Sequence, residues 1–172
     1  MSAGQQRLVV LNQLGSETST LITASALPVE VINVPDALPW TLAGQADVLF
    51  TAPRHSWRSA PEHAPTGWPG RLQWVHLPSA GIDYFPPWLS AVPLVTCSRG
   101  VAAAPIAEYV FAALLDYQKS WPGLGVSDSA QWRQTFDRVV QQPLGMLQGQ
   151  TLGLAGYGAI SQAIASAPGL LT

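Results

Sequence analysis

Residues 151–167 read TLGLAGYGAISQAIASA, a short apolar run over 151–155 that leads into Gly156-Tyr157-Gly158-Ala159-Ile160-Ser161 and then into a helix-compatible stretch. Such a strand, turn and helix can open a dinucleotide-binding unit. Gly156 permits the tight turn, and Gly158 lets the backbone come within contact of a pyrophosphate, whose charge meets free amides and the positive end of the following helix. The third position of that fingerprint is Ser161 instead of glycine. It serves close packing of helix on strand, so a small serine fits there while setting the helix slightly outward. Taken alone, the pattern is equally that of a plain strand–turn–helix, and the residues upstream decide between the two.

Upstream, RLVVL at 7–11, VEVINV at 29–34, DVLFT at 47–51, QWVHL at 73–77 and LVTC at 94–97 are short runs rich in β-branched residues. Bounded by Gly, Pro, Ser or Asp, they read as buried strands. Stretches able to hold helices lie between them, at 16–26, 40–46 and 84–91. Strand alternating with helix is the pattern of a parallel α/β sheet. Pro61, Pro65 and Pro69 make 56–70 a surface loop with at most a short turn of helix. The strongest helix is PIAEYVFAALLDYQK at 105–119, where Ile106, Val110, Ala113, Leu114 and Tyr117 recur at helical spacing until Trp121-Pro122-Gly123 ends it. A weaker helical stretch at 131–140 follows.

The composition narrows the function classes. Apolar residues are 48% of 172, enough for a sizeable core, and the net charge is −2. Eight Lys and Arg, none clustered along the chain, give no footprint for a phosphate backbone, so a nucleic-acid partner is not expected. Apolar runs are far short of a bilayer span, and the N-terminus has no basic region followed by a long apolar stretch. The expectation is a soluble, cytoplasmic protein, with which the single Cys97 agrees. Charged residues are only 10%, against about 25% in an average soluble protein. That fits either an ordinary Ala/Pro/Gly-rich composition or a surface that meets another domain or subunit.

Ser79-Ala80-Gly81-Ile82-Asp83 after a strand, residues 95–100 leading into Pro105-Ile106-Ala107-Glu108-Tyr109, and Gly149-Gln150-Thr151-Leu152-Gly153 before the glycine loop stand in an order and spacing that resembles the D-isomer-specific 2-hydroxyacid dehydrogenases. The resemblance runs over about residues 47–167. It implies a flavodoxin-like, parallel-sheet substrate domain over 1–99 and the start of a Rossmann-type NAD(P)-binding domain over 100–172. It further implies that Ser79, Ala80, Gly81 and Ile82 offer amides to a substrate carboxylate. Ile106, at the start of the long helix, would lie beside the nicotinamide, and Gly156, Tyr157, Gly158, Ala159 and Ile160 would hold the pyrophosphate of NAD or NADP. The residues themselves support the loop assignment, since a Ser-Ala-Gly turn after a parallel strand carries small side chains that leave its amides open to an anion. A plain βα turn needing Gly81 for its backbone angle is the alternative. Many members of the family carry Asn where Ala102 stands here, so one polar contact to substrate is absent.

An acidic ribose-binding residue is expected about 20 residues beyond Gly156, whereas the sequence ends at Thr172. The family's catalytic Arg, Glu and His likewise fall beyond that point, so no catalytic residue is assigned within these 172 positions. The expectation is a truncated front portion of a hydride-transferring oxidoreductase acting on a small 2-oxo or 2-hydroxy acid, inactive in isolation and self-associating through the strand at 151–155. A non-enzymatic fragment, binding module or assembly partner is the alternative.

Other constellations are poorer. His55, His63, His76 and Cys97 contain no pair at recognised zinc spacing, so no metal site is expected. A Cys97–His76 nucleophile pair lacks an orienting third group, and a buried thiol with a partly exposed imidazole is the simpler reading. Ser79 lacks the glycine two positions before it that a nucleophile elbow requires. Glu108 reads as a helix-surface or interdomain residue, and the seven Trp as core and interface anchors.

Overall fold

The computed structural model describes residues 7–167 and divides into two compact units that meet between Arg99 and Gly100. In the first unit, β1 (Leu8–Asn12), β2 (Val29–Asn33), β3 (Val48–Phe50), β4 (Trp74–Leu77) and β5 (Leu94–Cys97) form one parallel sheet in the order β2-β1-β3-β4-β5. This is the flavodoxin-like order, and the strand sequence reverses between β1 and β3. The five strands expected in this unit are each present to within a residue or two.

The register explains the core. Leu11, Leu49, Val75 and Val95 are laterally aligned, so they share one face, and alternation puts Leu77 and Cys97 there as well. Against that face pack Ala43, Ala46, Trp57, Leu72, Phe85, Trp88, Leu89 and Val92. They come from the connections: α2 (Pro39–Leu42) with the 3-10 turn Ala43–Gln45, α3 (His55–Arg58), and the 3-10 turn Pro87–Ala91. The helix-compatible stretch at 84–91 is thus only a 3-10 turn, because Pro86 and Pro87 lack the amides an α-helix would use. Trp40, Trp57, Trp68 and Trp88 form one contiguous aromatic group with centroid separations of 4.8 to 6.1 Å. On the other face, α1 (Ser16–Ala24) is tied to the sheet through Ser19, whose hydroxyl donates to Asn33 Oδ1 at 2.5 Å and accepts from Asn12 Nδ2 at 2.7 Å.

The second unit contains α4 (Ala103–Lys119), α5 (Ser129–Gln141) and α6 (Ala159–Ala165). α4 begins two residues before the expected start, since Pro105 sits in the first turn, where its missing N–H has no helical partner to lose. It ends at Ser120 in the left-handed region, φ 49° and ψ 48°. α5 is longer than expected because Asp128 caps it, accepting from the Gln131 N–H at 2.8 Å. One expectation is corrected: residues 151–155 belong to no strand. A parallel strand exists only through a ladder with a neighbour, and the sheet of the first unit is the only sheet among the described residues.

Asp47 closes the amino edge of the sheet. Its carboxylate accepts from the Val9 N–H at 2.9 Å and from Arg71 at 2.8 Å. The hydrogen bond from the Val9 backbone, aided by Arg71 and opposed by burial, holds its pKa below the ordinary carboxylate value. A depressed carboxylate contributes stability above its unfolded pKa that disappears as pH falls through the folded one. Asp47→Ala should therefore cost about 1–3 kcal/mol at pH 7. In urea unfolding series, the gap between this variant and the parent should narrow as pH drops below about 4.

Candidate active-site crevice

Because the strands are parallel, the loops after β1, β3, β4 and β5 gather at one edge of the first unit, where open α/β sheets bind ligands. Buried polar side chains lock that edge. The Thr51 hydroxyl donates to Gln13 Oε1 at 2.6 Å and accepts from Trp57 Nε1 at 2.7 Å, while Gln13 Nε2 donates to the carbonyls of Val34 and Ala37. Backbone bonds from Gln13 N to Phe50 O and from Thr51 N to His76 O extend the ladder to the loops. One hydroxyl thus ties the segment after β1, through Gln13 the segment after β2, and through Trp57 the helix after β3.

The segment Ser79, Ala80, Gly81 and Ile82 follows the end of β4 after Pro78, at this same edge. The Ser79 hydroxyl turns back to the Gly81 carbonyl at 2.8 Å, and Phe85 N donates to Ile82 O. Among the described residues, none of the four backbone N–H groups donates a hydrogen bond. Gly81 is not among the positive-φ glycines, so its backbone angle is not what requires glycine. A Cβ built there would come 3.3 Å from the Asp83 carboxylate, so the small residue leaves room for that side chain beside the loop.

The second unit carries the other expected residues. Ile106 lies in the first turn of α4 and is part-exposed, with its amide donated to Ala102 O. α4 packs on α6, and a Cβ at Gly100, where φ is +87°, would come 3.6 Å from the Ala159 side chain. The start of the long helix and the glycine loop are therefore neighbours. Gly156 has φ +91°, as a tight turn demands, and a Cβ at Gly156 or Gly158 would meet nothing within 4 Å. The turn at 156–158 therefore presents open backbone. Tyr157 is exposed, and α6 starts with Gly158 at its N-cap.

Alternation across the sheet disposes of the Cys97–His76 pair. Cys97 is in register with Leu77 on the core face, whereas His76 pairs with Thr96 on the other. The imidazole is occupied there, with Nδ1 at 2.9 Å from Thr96 Oγ1 and Nε2 at 3.3 Å from Ser98 Oγ. No group of three His, Cys, Asp or Glu able to hold a metal occurs among the described residues. Glu108 is exposed on α4. Four of the tryptophans are core anchors, while Trp121 and Trp132 are exposed in the second unit.

Sequence reading missed a feature of the first unit. Its cations looked unclustered, yet Arg54 and Arg58 line one open hollow of about 490 Å³ together with Pro35, Asp36, Pro53, Ser56 and Tyr84. Their spacing of four across a short helix was the only available signal.

No protein-family model and no curated protein matches the chain. Solved structures with the same fold include dehydrogenases and reductases. D-mandelate dehydrogenase of Rhodotorula graminis matches with a TM-score of 0.70 and 17% identity, over 93% of this chain and 52% of that one. The NADPH-dependent glyoxylate/hydroxypyruvate reductase of Sinorhizobium meliloti, in complex with citrate, gives 0.59 and 20%, over 94% and 49%. NAD-dependent formate dehydrogenase of Staphylococcus aureus, in complex with NAD, gives 0.56 and 17%, over 93% and 52%. At these identities the likeness is one of fold. The α/β fold implied by the resemblance to 2-hydroxyacid dehydrogenases is the fold found, and the chain spans about half the length of the structures it matches.

Thr51→Val should remove the hydroxyl and leave both Gln13 Oε1 and Trp57 Nε1 buried without a partner. The expected loss is about 2–4 kcal/mol by chemical denaturation. A cycle with Trp57→Phe should show strong coupling, because both substitutions break the same bond.

Proposed function

We propose that this chain supplies the substrate-carboxylate loop and the pyrophosphate loop of an NAD(P)-dependent oxidoreductase for small 2-oxo or 2-hydroxy acids. The observation that carries the proposal is the run of undonated amides at Ser79, Ala80, Gly81 and Ile82, on the ligand-binding edge of a flavodoxin-like sheet. A carboxylate held there accepts hydrogen bonds from groups already in place, with no backbone rearrangement required. Gly156 to Ile160 would hold the cofactor's pyrophosphate and Ile106 would lie beside the nicotinamide, which supplies or accepts the hydride. The neighbours with bound NAD or NADP support the choice of cofactor. Units 1–99 and 100–172 then act as substrate domain and cofactor-binding unit. No residue among the described ones is assigned the acid/base role. A cytoplasmic location agrees with the single Cys97, and no helix among the described residues is long and apolar enough to cross a membrane.

Self-association belongs to the same reading, on grounds other than the strand first expected at 151–155. Trp132, Phe136 and Val140 recur at four-residue spacing on α5 and are all more than half exposed. Phe136→Glu should lower the mass measured by static light scattering at high concentration, and a parent mass near 18 kDa at every concentration would remove this part of the proposal.

The principal test is an amide chemical-shift titration of the whole chain. Glyoxylate should move the resonances of residues 79–82, and NADH those of 156–160. Gly81→Val should weaken the first by about tenfold and leave the second unchanged. Shifts confined to other loops would overturn the proposal.

A further inference from the structure

The hollow lined by Arg54 and Arg58 has no part in holding a carboxylate at residues 79–82, yet it is built from the same edge of the sheet. Pro35 and Asp36 follow β2, Pro53 to Arg58 follow β3, and Tyr84 lies beyond β4. In the order β2-β1-β3-β4 these segments flank the end of β1, so the hollow sits where the strand sequence reverses, the usual ligand position in such sheets. Its volume of about 490 Å³ falls among those of small-molecule sites, about 300–1,000 Å³.

Its donors are unspent. Arg58 uses only Nε, on the Tyr84 hydroxyl at 3.3 Å, and that hydroxyl in turn donates to the Arg54 carbonyl at 3.4 Å. Among the described residues neither guanidinium is paired with a carboxylate, the Arg71–Asp47 bridge being the one ion pair found. Ser56, also in the lining, has a hydroxyl that is closed to water and has no hydrogen-bond partner, the one such side-chain atom among the described residues. Asp36 is the only carboxylate in the lining, against two arginines, so the hollow carries a net positive charge. The tie from Thr51 to Trp57 fixes α3, and with it the stretch bearing Arg54 and Arg58.

We propose that this hollow is an anion subsite in which Arg54 and Arg58 hold a second acidic group of the substrate, so that the preferred ligands are short 2-oxo acids carrying a further carboxylate or a phosphate. The identity of the ligand rests on the carboxylate loop assigned above; the anion subsite itself does not. Tyr84 is two residues beyond Ile82, which bounds the separation of their backbones at about 7 Å, within the span of such a diacid. Planar guanidinium groups suit either oxyanion, because each presents paired donors.

The test compares 2-oxoglutarate, glyoxylate, malonate and inorganic phosphate as probes on the whole chain, with affinities read from amide shifts at low ionic strength. Malonate and phosphate should move residues 53–58 and 84, and 2-oxoglutarate should move these and 79–82 together. Arg54→Gln combined with Arg58→Gln should weaken 2-oxoglutarate by about tenfold while leaving glyoxylate unchanged. Asp36→Asn should tighten malonate by about twofold to threefold, a direction that loss of structure does not produce. Arg133→Gln, an exposed change in the second unit, should alter nothing. Preference for malonate over phosphate would assign the second group as a carboxylate, and the reverse as a phosphate. If glyoxylate fails to move 79–82 while malonate still moves 53–58, the carboxylate-loop reading falls and the anion subsite stands. If malonate and phosphate leave 53–58 and 84 unmoved, or Asp36→Asn does not tighten binding, the anion subsite is wrong.

Discussion

The Thr51 hydroxyl is the point on which the ligand-binding edge of the first unit depends. It donates to Gln13 and accepts from Trp57, both in the interior, and so adds side-chain ties between the segments after β1, β2 and β3 to the backbone bond from Gln13 to Phe50. A buried network of this kind is rigid only when every member is satisfied. Gln13 meets that condition by spending its two amide hydrogens on Val34 and Ala37. The loops that follow β2 and β3 are thereby held against each other, although β1 lies between their strands in the sheet.

That rigidity gives the two parts of the crevice different characters. The residues at 79–82 present backbone donors, whose positions are set by the chain itself and do not depend on side-chain rotamers. Arg54 and Arg58 present long, exposed side chains at the two ends of a short helix, so their contribution varies with ionic strength and with the group they face. In the proposed reading a common carboxylate would be met by fixed geometry, and discrimination among acids would fall to the adjustable arginines.

The sheet was legible because each of its five strands is a short apolar run with its own turn residues, and because the alternation of strand with connection excludes most other topologies. The connections were legible mainly as breaks. Their short helices and 3-10 turns are held by burial of Trp57, Phe85, Trp88 and Leu89, a tertiary effect that local pattern does not carry. Residues 151–155 read as a strand since their composition is that of one, yet a strand needs a neighbour and sequence alone does not say whether one is present. The Ser-Ala-Gly turn at 79–81 and the glycines at 156 and 158 stood out because small or missing side chains leave backbone uncovered, as the open space around Gly156 and Gly158 shows. The arginine hollow did not, since its lining is drawn from three segments over fifty positions and meets only once the sheet is assembled.

The tryptophans divide between the two units in a way that gives the protein its own optical labels. Trp40, Trp57, Trp68 and Trp88 cluster against the core of the first unit and Trp74 is half-buried on its sheet, whereas Trp121 and Trp132 are exposed on the surface of the second. Indole emission shifts to longer wavelength when water surrounds the ring, so the short-wavelength side of the spectrum belongs mostly to the first unit. Loss of the sheet is then a red shift that melting of α5 does not produce. A single emission spectrum, followed through denaturation, separates the cooperativity of one unit from that of the other without any introduced probe.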